Sequence, residues 1–531
     1  MNRTSAKLRN IGIFFLTFFL FTLCRTSIAA QDESTIRVSL QSRIPSAEKD
    51  VAEGTRVIHQ EIRHWKPHET AMIVCDMWNQ HWCKGATLRV AEMAPRMNEV
   101  LAVAREKGIR IVHCPSDTMK WYEDHPARKR ARQFRIPDIE KLLGNGKLVS
   151  ESGAEWPIDQ SDEGCDCTPT CKQGPPFPWK HQIEMLTITD DDLISDSGAE
   201  IGSYFEDTGI KNVILMGVHT NMCVIGRSFG LRNMVRLGKN VVLMRDMTDT
   251  MYNSKSAPFV SHFTGNNLMQ EYIETYVCPS MVSTDLTGKK QFRFQDDHRP
   301  LIVFVTAEDE YRTNQRFHEF AHELLLAKGV NCDFAVGEEA TNGSGTHNIE
   351  NLQVLKDADL MFLSVRRRAL EPEKMQIVKD YVESGKRLVG IRTASHAFSV
   401  NDPLPDSLVQ WKEFDNVVLG GNYAGHFRNI STETQVKLVP GMEKHPLLMG
   451  VDSEGFISSS WLYKNRPLHS PNVQVLLTGT ASDTLSEPVL WINHRPNGAV
   501  IYTSLGHWSD WDNPNFKQLM LNTVKMIQSQ P

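Results

Sequence analysis

Short, wholly apolar runs recur along this chain with longer amphipathic stretches between them. A-M-I-V-C (71–75), I-R-I-V-H-C (109–114), N-V-I-L-M-G (212–217) and N-V-V-L-M (240–244) alternate with helical patterns at 88–107, ending before Gly108, and from about Met222 to Leu237. A strand with no polar side is covered on both faces, and strands separated by helices pair in parallel, so the runs predict an α/β fold. A second series follows a polar connector: L-I-V-F-V (301–305), C-D-F-A-V (332–336), L-M-F-L-S (360–364) and R-L-V-G-I (387–391). The prediction is two Rossmann-like three-layer domains, each with a mainly parallel sheet covered by helices on both faces. They are placed at 68–290 and 298–531, after an N-terminal extension at 31–67. Between about 116 and 182 the rhythm gives way to a Gly-, Pro-, Trp- and Cys-rich insertion, and long loops of this kind commonly carry function.

The first 30 residues follow another logic. Arg3, Lys7 and Arg9 precede an apolar run at 11–24, and small residues follow at Ser27 and Ala29. This is the layout of a signal peptide, and the run is shorter than the roughly 20 residues that span a bilayer. The expectation is export to the periplasm or the extracellular space, with no membrane span. Loss of 1–30 removes four positive charges and no negative one, taking the formal charge from −6 to −10. An acidic chain has no global field for nucleic acid.

Nine cysteines follow the leader: Cys75, Cys83, Cys114, Cys165, Cys167, Cys171, Cys223, Cys278 and Cys332. In an exported chain an odd number leaves at least one free thiol. The C-D-C-T-P-T-C cluster (165–171) offers donors for zinc, but no second Cys or His pair follows at finger-like spacing, so disulfides bracing the insertion are expected.

Three residues stand at strand ends, where parallel sheets place their sites. Asp76 closes A-M-I-V-C-D-M-W-N, Cys223 follows G-V-H-T-N-M at a strand-to-helix turn, and Lys180 lies in P-W-K-H. Singly, an Asp after a strand is commonly a cap and a Cys a small apolar residue. Together they offer a thiol nucleophile, a proton acceptor and a positive charge, with a helix N-terminus favouring thiolate.

In this order and in these motifs the stretch from about 68 to 280 resembles the isochorismatase-like cysteine hydrolases, the superfamily that includes nicotinamidases and N-carbamoyl amidases. The resemblance implies that Cys223 attacks a carbonyl carbon, Asp76 takes the thiol proton and Lys180 balances charge, with Lys172 as the alternative cation. It also implies a cis peptide at Val218–His219 and an oxyanion hole built from the backbone N–H groups of His219 and Cys223. Nicotinamidases of this superfamily hold a metal on an Asp-x-His-x5-His pattern. Here Asp117 and His125 keep their places, but Met119 stands where the middle histidine belongs. The implied site needs no metal cofactor, although a divalent ion completed by His113 or His81 stays open.

From about 298 the chain resembles the trehalose-utilisation (ThuA-like) family, relatives of class I glutamine amidotransferases. The pieces are Y-V-E-S-G-K-R-L-V-G-I-R-T-A-S-H-A-F (381–398), G-G-N-Y-A-G-H-F (420–427), K-H-P-L-L-M-G-V (444–451) and P-V-L-W-I-N-H-R-P-N-G-A-V-I-Y-T-S-L-G-H (488–507). Glutaminases of that group carry a cysteine where this chain has Arg392, which excludes glutamine hydrolysis by that route. Arg392, His396, His426 and His507 are the candidate lining of a second pocket, with a sugar as the ligand the resemblance implies.

The leading expectation is hydrolysis of C–N bonds in small amides, ureides or carbamoyl compounds. The alternatives are a carbohydrate-processing or carbohydrate-binding protein whose function is set by the second domain, and a non-enzymatic pair of binding modules. The expected partner is a small molecule, not nucleic acid or membrane, and self-association into a homo-oligomer stays open.

Overall fold

The apolar runs become the central strands of two sheets. The computed structural model describes residues 35–528 apart from 49–50, 53, 144–153, 309, 338–346 and 483–484. The leader read at 1–30 therefore lies outside the described residues. The first sheet contains β1 (Ile36–Pro45), β2 (Arg56–Trp65), β3 (Thr70–Cys75), β4 (Arg110–Cys114), β5 (Leu193–Ile194), β6 (Asn212–Val218), β7 (Asn240–Asp249) and β8 (Ser280–Met281), in spatial order β2-β1-β8-β7-β6-β3-β4-β5. Neighbours from β8 to β5 are parallel. Every residue of β3 and β6 is buried, which explains why those runs do not alternate. Ala71, Ile73, Val213 and Leu215 pack into one apolar cluster, while Met72, Val74, Ile214 and Met216 pack into another across the sheet. The second cluster includes the helix Lys84–Glu106, whose buried Val90, Met93, Ala94, Met97, Leu101 and Ala104 recur at helical spacing.

The second sheet contains β9 (Leu301–Ala307), β10 (Asn331–Val336), β11 (Leu360–Val365), β12 (Arg387–Ile391), β13 (Thr434–Leu438), β14 (Phe456–Ser458), β15 (Val473–Ser482), β16 (Leu485–Arg495) and β17 (Gly498–Thr503). Its order is β10-β9-β11-β12-β17-β16-β15-β13-β14. Here the expected mainly parallel sheet is corrected. Pairs from β10 to β17 are parallel, but those from β17 through β16, β15 and β13 to β14 are antiparallel. The reason is connection length: Pro496 and Asn497 alone separate β16 from β17, and a parallel return needs a crossover of about a dozen residues or more. The architecture is thus two mixed sheets with helices.

Among the described residues before 68, β1 and β2 form a hairpin. β1 and β2 pair along their full lengths, and β1 meets β8 at Ser280. Its two strands serve different cores. Val38 and Leu40 pack with the first sheet's helix-covered face, whereas Ile58 sits among Phe304, Phe317 and Phe334 of the second. Gln60 joins the hairpin to β10, the edge strand of the second sheet, by donating to the Phe334 carbonyl at 2.8 Å and accepting from the Val336 N–H at 3.0 Å. That amide blunts an edge which would otherwise offer free ladder groups. Asn314 likewise bonds both the N–H and the carbonyl of Ile58. Gln60→Ala leaves the Val336 N–H without its partner in a dry setting, while the Phe334 carbonyl keeps only the Asn351 amide. It is expected to cost about 1–3 kcal/mol and to lower the thermal midpoint, read by calorimetry, while a surface change such as Glu61→Gln leaves it in place.

Candidate active site

β3 and β6 are parallel neighbours with Cys75 opposite Gly217, so the residues after them emerge at one edge of the sheet. Gly217 makes this approach possible. Its φ is +113°, and a Cβ there would stand 2.1 Å from the Cys75 carbonyl oxygen. Asp76 turns off β3 with φ 45° and is fully buried. Its Oδ1 accepts the Ser116 backbone N–H at 2.7 Å, and its own N–H donates to the Cys114 carbonyl at 3.1 Å. The Val218–His219 peptide is cis, as the resemblance implies. The turn Thr220–Val224 is fixed by Asn221, which bonds both the N–H and the carbonyl of Met251, and by Thr220 against Thr248. The half-buried Cys223 thiol hydrogen-bonds the Asp76 carboxylate, and the His219 backbone N–H is directed at the sulfur.

The cation on this carboxylate is Arg227. Its Nε donates to Asp76 Oδ2 at 3.2 Å, and its Nη2 lies 3.6 Å from Asp117. Lys180 is placed otherwise: its backbone N–H bonds Asn79, its side chain is exposed, and its ammonium has no ion pair among the described residues. Family spacing drew attention to Lys180. The overlooked signal was the four-residue step from Cys223 to Arg227, which puts both on one side of a helical turn.

The electrostatics also differ from the expectation of a thiolate. Burial raises Asp76 above the ordinary carboxylate range, with Arg227 pulling back. Burial, and then the Asp76 charge, push the Cys223 thiol well up, outweighing Arg227 and the His219 N–H. Both groups are held toward their protonated forms, and thiol is favoured over thiolate. The helix expected over 222–237 is broken: after Thr220–Val224 and a few further residues the next helix is Leu231–Arg236. A Cβ at Gly198 would stand 2.1 Å from the Ser228 carbonyl oxygen, so the broken segment packs directly on a neighbouring helix start. So short a turn contributes little dipole to set against burial.

An aromatic wall flanks the site. Trp179 from the insertion stacks on Trp78 at 4.6 Å and on Phe177 at 4.4 Å, and His81 meets the His219 ring at 4.9 Å. The His219 ring is buried with Nε2 unpartnered among the described residues. His125 is a helix cap, its Nδ1 accepting from the Ala127 N–H at 3.1 Å. The expected disulfides are absent: none of the nine cysteines is paired. Instead a fourth thiol, Cys83, joins Cys165, Cys167 and Cys171 in one group whose sulfurs all lie within 4.8 Å of one another.

At the second sheet, Arg392 occupies the sharp turn after β12 with φ 44° and is fully buried. Its guanidinium lies between the rings of Tyr311 at 4.3 Å and Tyr463 at 4.7 Å, and it donates to the Ser504 carbonyl at 2.9 Å. His396 stacks on Tyr423 at 4.6 Å, His507 meets the Tyr311 ring at 6.0 Å, and His426 bridges Tyr463. Arg392, His396 and His507 are therefore joined through Tyr311, Tyr423 and Tyr463, which sequence reading missed because no local pattern marks them, whereas the exposed His426 meets Tyr463 only through its backbone and sets its ring against Trp461. Burial pushes Asp415, whose carboxylate accepts the Tyr423 N–H, up to about 7.

Residues 301–526 match the ThuA family model, described as trehalose utilisation, and carry a ThuA domain. No curated protein matches the chain closely enough to count. Among solved structures, a putative ThuA-like protein from Parabacteroides merdae is 16% identical over 44% of this chain and 90% of its own, with a TM-score of 0.31. An isochorismatase family protein from Burkholderia thailandensis is 12% identical over 42% of this chain and 95% of its own, with a TM-score of 0.25. The carbohydrate deacetylase Agd3 is 14% identical over 43% and 32%, with a TM-score of 0.29.

The Asp76–Cys223 pair makes a double prediction. Asp76→Asn removes the proton acceptor and the charge that raises the thiol. Iodoacetamide should therefore alkylate Cys223 faster in this variant than in the parent at pH 7, while catalytic turnover falls. Because Asp76 is raised on folding, its contribution favours the fold at low pH and is lost as pH rises through its folded value, so the variant should melt no lower than the parent at neutral pH. Slower labelling, or a lowered midpoint, would contradict the assignment.

Proposed function

We propose that this chain is a hydrolase of C–N bonds in small amides, ureides or carbamoyl compounds, acting through an isochorismatase-like site. The observation that carries this reading is a thiol hydrogen-bonded to a buried carboxylate, which a guanidinium flanks, at the C-terminal edge of parallel strands. As Cys223 Sγ attacks the carbonyl carbon, its proton passes to Asp76. The oxyanion is received by the backbone N–H groups of His219 and Cys223. Asp76 then delivers the proton to the leaving nitrogen, and the C–N bond breaks to leave a thioester. Water, giving a proton to Asp76, attacks that thioester; the acid departs and Cys223 recovers its proton. Arg227 holds the carboxylate in place and offsets its charge, the part the resemblance assigned to Lys180. The chain's own groups supply each step, so no metal cofactor is invoked.

A second reading concerns the ThuA domain. A buried guanidinium between two tyrosine rings, with a histidine stacked on a third, offers flat apolar faces beside polar edges, which suits a sugar or sugar derivative. In this proposal the protein is exported and acts on a soluble small molecule. The test is a panel of amides, ureides, N-carbamoyl compounds and keto-sugars, followed by release of ammonia or amine. At least one C–N substrate is expected to turn over, and Cys223→Ala should lower kcat/KM by roughly 10³-fold or more. Turnover that survives in Cys223→Ala, or turnover confined to the sugars, would overturn the reading.

A further inference from the structure

Four sulfurs from distant stretches converge beside the loop that holds Cys223. Cys83 precedes the 23-residue helix Lys84–Glu106, and Cys165, Cys167 and Cys171 come from the insertion. All four Sγ atoms lie within 4.8 Å of one another, and those of Cys83 and Cys167 are 3.7 Å apart. That spacing far exceeds an S–S bond of about 2.05 Å. Main-chain N–H groups meet every sulfur. Lys84 donates to Cys171 at 3.4 Å and Gly85 to Cys167 at 3.2 Å, Ala86 is directed at Cys83, and Cys167 and Cys171 are both directed at Cys165. Donors on all four sulfurs satisfy thiolates, and such outer hydrogen bonds are the usual support of metal ligands. Gly85 permits the close approach, since a Cβ there would stand 3.3 Å from the Cys167 sulfur. Arg89, one turn into the helix, pairs with Asp249 at 2.8 Å and Asp166 at 3.6 Å, and keeps Nη2 buried without a hydrogen-bond partner among the described residues.

We infer that Cys83, Cys165, Cys167 and Cys171 form a closed tetrathiolate site for one zinc ion. Four sulfur donors within 4.8 Å of one another match the structural class of zinc site, in which no position is left for water. Binding sends four thiol protons to solvent and leaves a site of charge −2, which the amides opening the long helix and the Arg89 guanidinium offset in part. The site's place in the fold gives it a purpose. Met222, next to Cys223, and Met251 pack against the cluster, and Asn221 of the same turn bonds Met251 on both sides. Gly164 lies so close to Met251 that a Cβ would stand 2.3 Å from its carbonyl oxygen. The ion ties the insertion to the loop that presents the nucleophile. The rival use of the same residues is two disulfides, which an oxidising compartment favours.

The test uses the full chain, purified without chelator or added metal. Zinc is measured by mass spectrometry of the elements, and intact mass is read under denaturing, non-reducing conditions. About one zinc per chain is expected, with no loss of mass. Cys167→Ser should lower zinc content by roughly tenfold or more, while Cys332→Ser leaves it unchanged. Should Cys167→Ser fail to fold, cobalt(II) added to the stripped parent chain decides: thiolate-to-cobalt charge transfer with the visible bands of a tetrahedral ion supports the site. Loss of two hydrogens per bridge with no zinc, or four free thiols that give no cobalt spectrum, overturns it.

Discussion

The active-site reading depends on one buried carboxylate. Asp76 is fully covered at the end of β3, in a backbone conformation with φ 45°, and its ionised form is costly there. Three groups compensate: the Ser116 N–H, the Arg227 guanidinium and the Cys223 thiol. Ser116 follows β4, whereas Cys223 and Arg227 share the turn after β6, so the parallel pairing of β3 with β4 and β6 delivers all three. The same burial that raises the carboxylate keeps the thiol protonated. Nucleophile and base are therefore prepared as a hydrogen-bonded pair, and thiolate forms only as the proton moves.

Around that pair the chain supplies supports that differ in kind. The insertion contributes Phe177 and Trp179 to an aromatic wall and three thiols to the cluster behind the nucleophile loop. The hairpin β1–β2 contributes to both apolar cores, with Gln60 sealing the edge of the second sheet. The ThuA domain carries its own polar and aromatic cluster around Arg392, built at the turn after a parallel strand as the first site is.

Much of this was legible from sequence because burial leaves a plain pattern. β3, β6, β9, β11 and β12 are runs without polar faces, and their ends locate Asp76, the Cys223 turn and Arg392. What was not legible depended on contacts between residues far apart in the chain. Cys83 stands 82 positions before Cys165, so no finger-like spacing could link them. Arg227 reaches the Asp76 carboxylate because the turn after Cys223 carries it back toward β3. The antiparallel half of the second sheet was signalled by Pro496, Asn497 and Gly498, a turn too short for a parallel return, which the apolar runs alone do not convey. Tyr311, Tyr423 and Tyr463 meet only in three dimensions.

The central claim is that Cys223 becomes covalently acylated while Asp76 accepts its proton. The most direct measurement is rapid acid quenching of the parent chain with a substrate found active, followed by peptide mass mapping. The account predicts an acyl adduct on the peptide bearing Cys223, absent in Cys223→Ala and strongly reduced in Asp76→Asn. An adduct on another cysteine, or steady turnover with no adduct at any quench time, would contradict it.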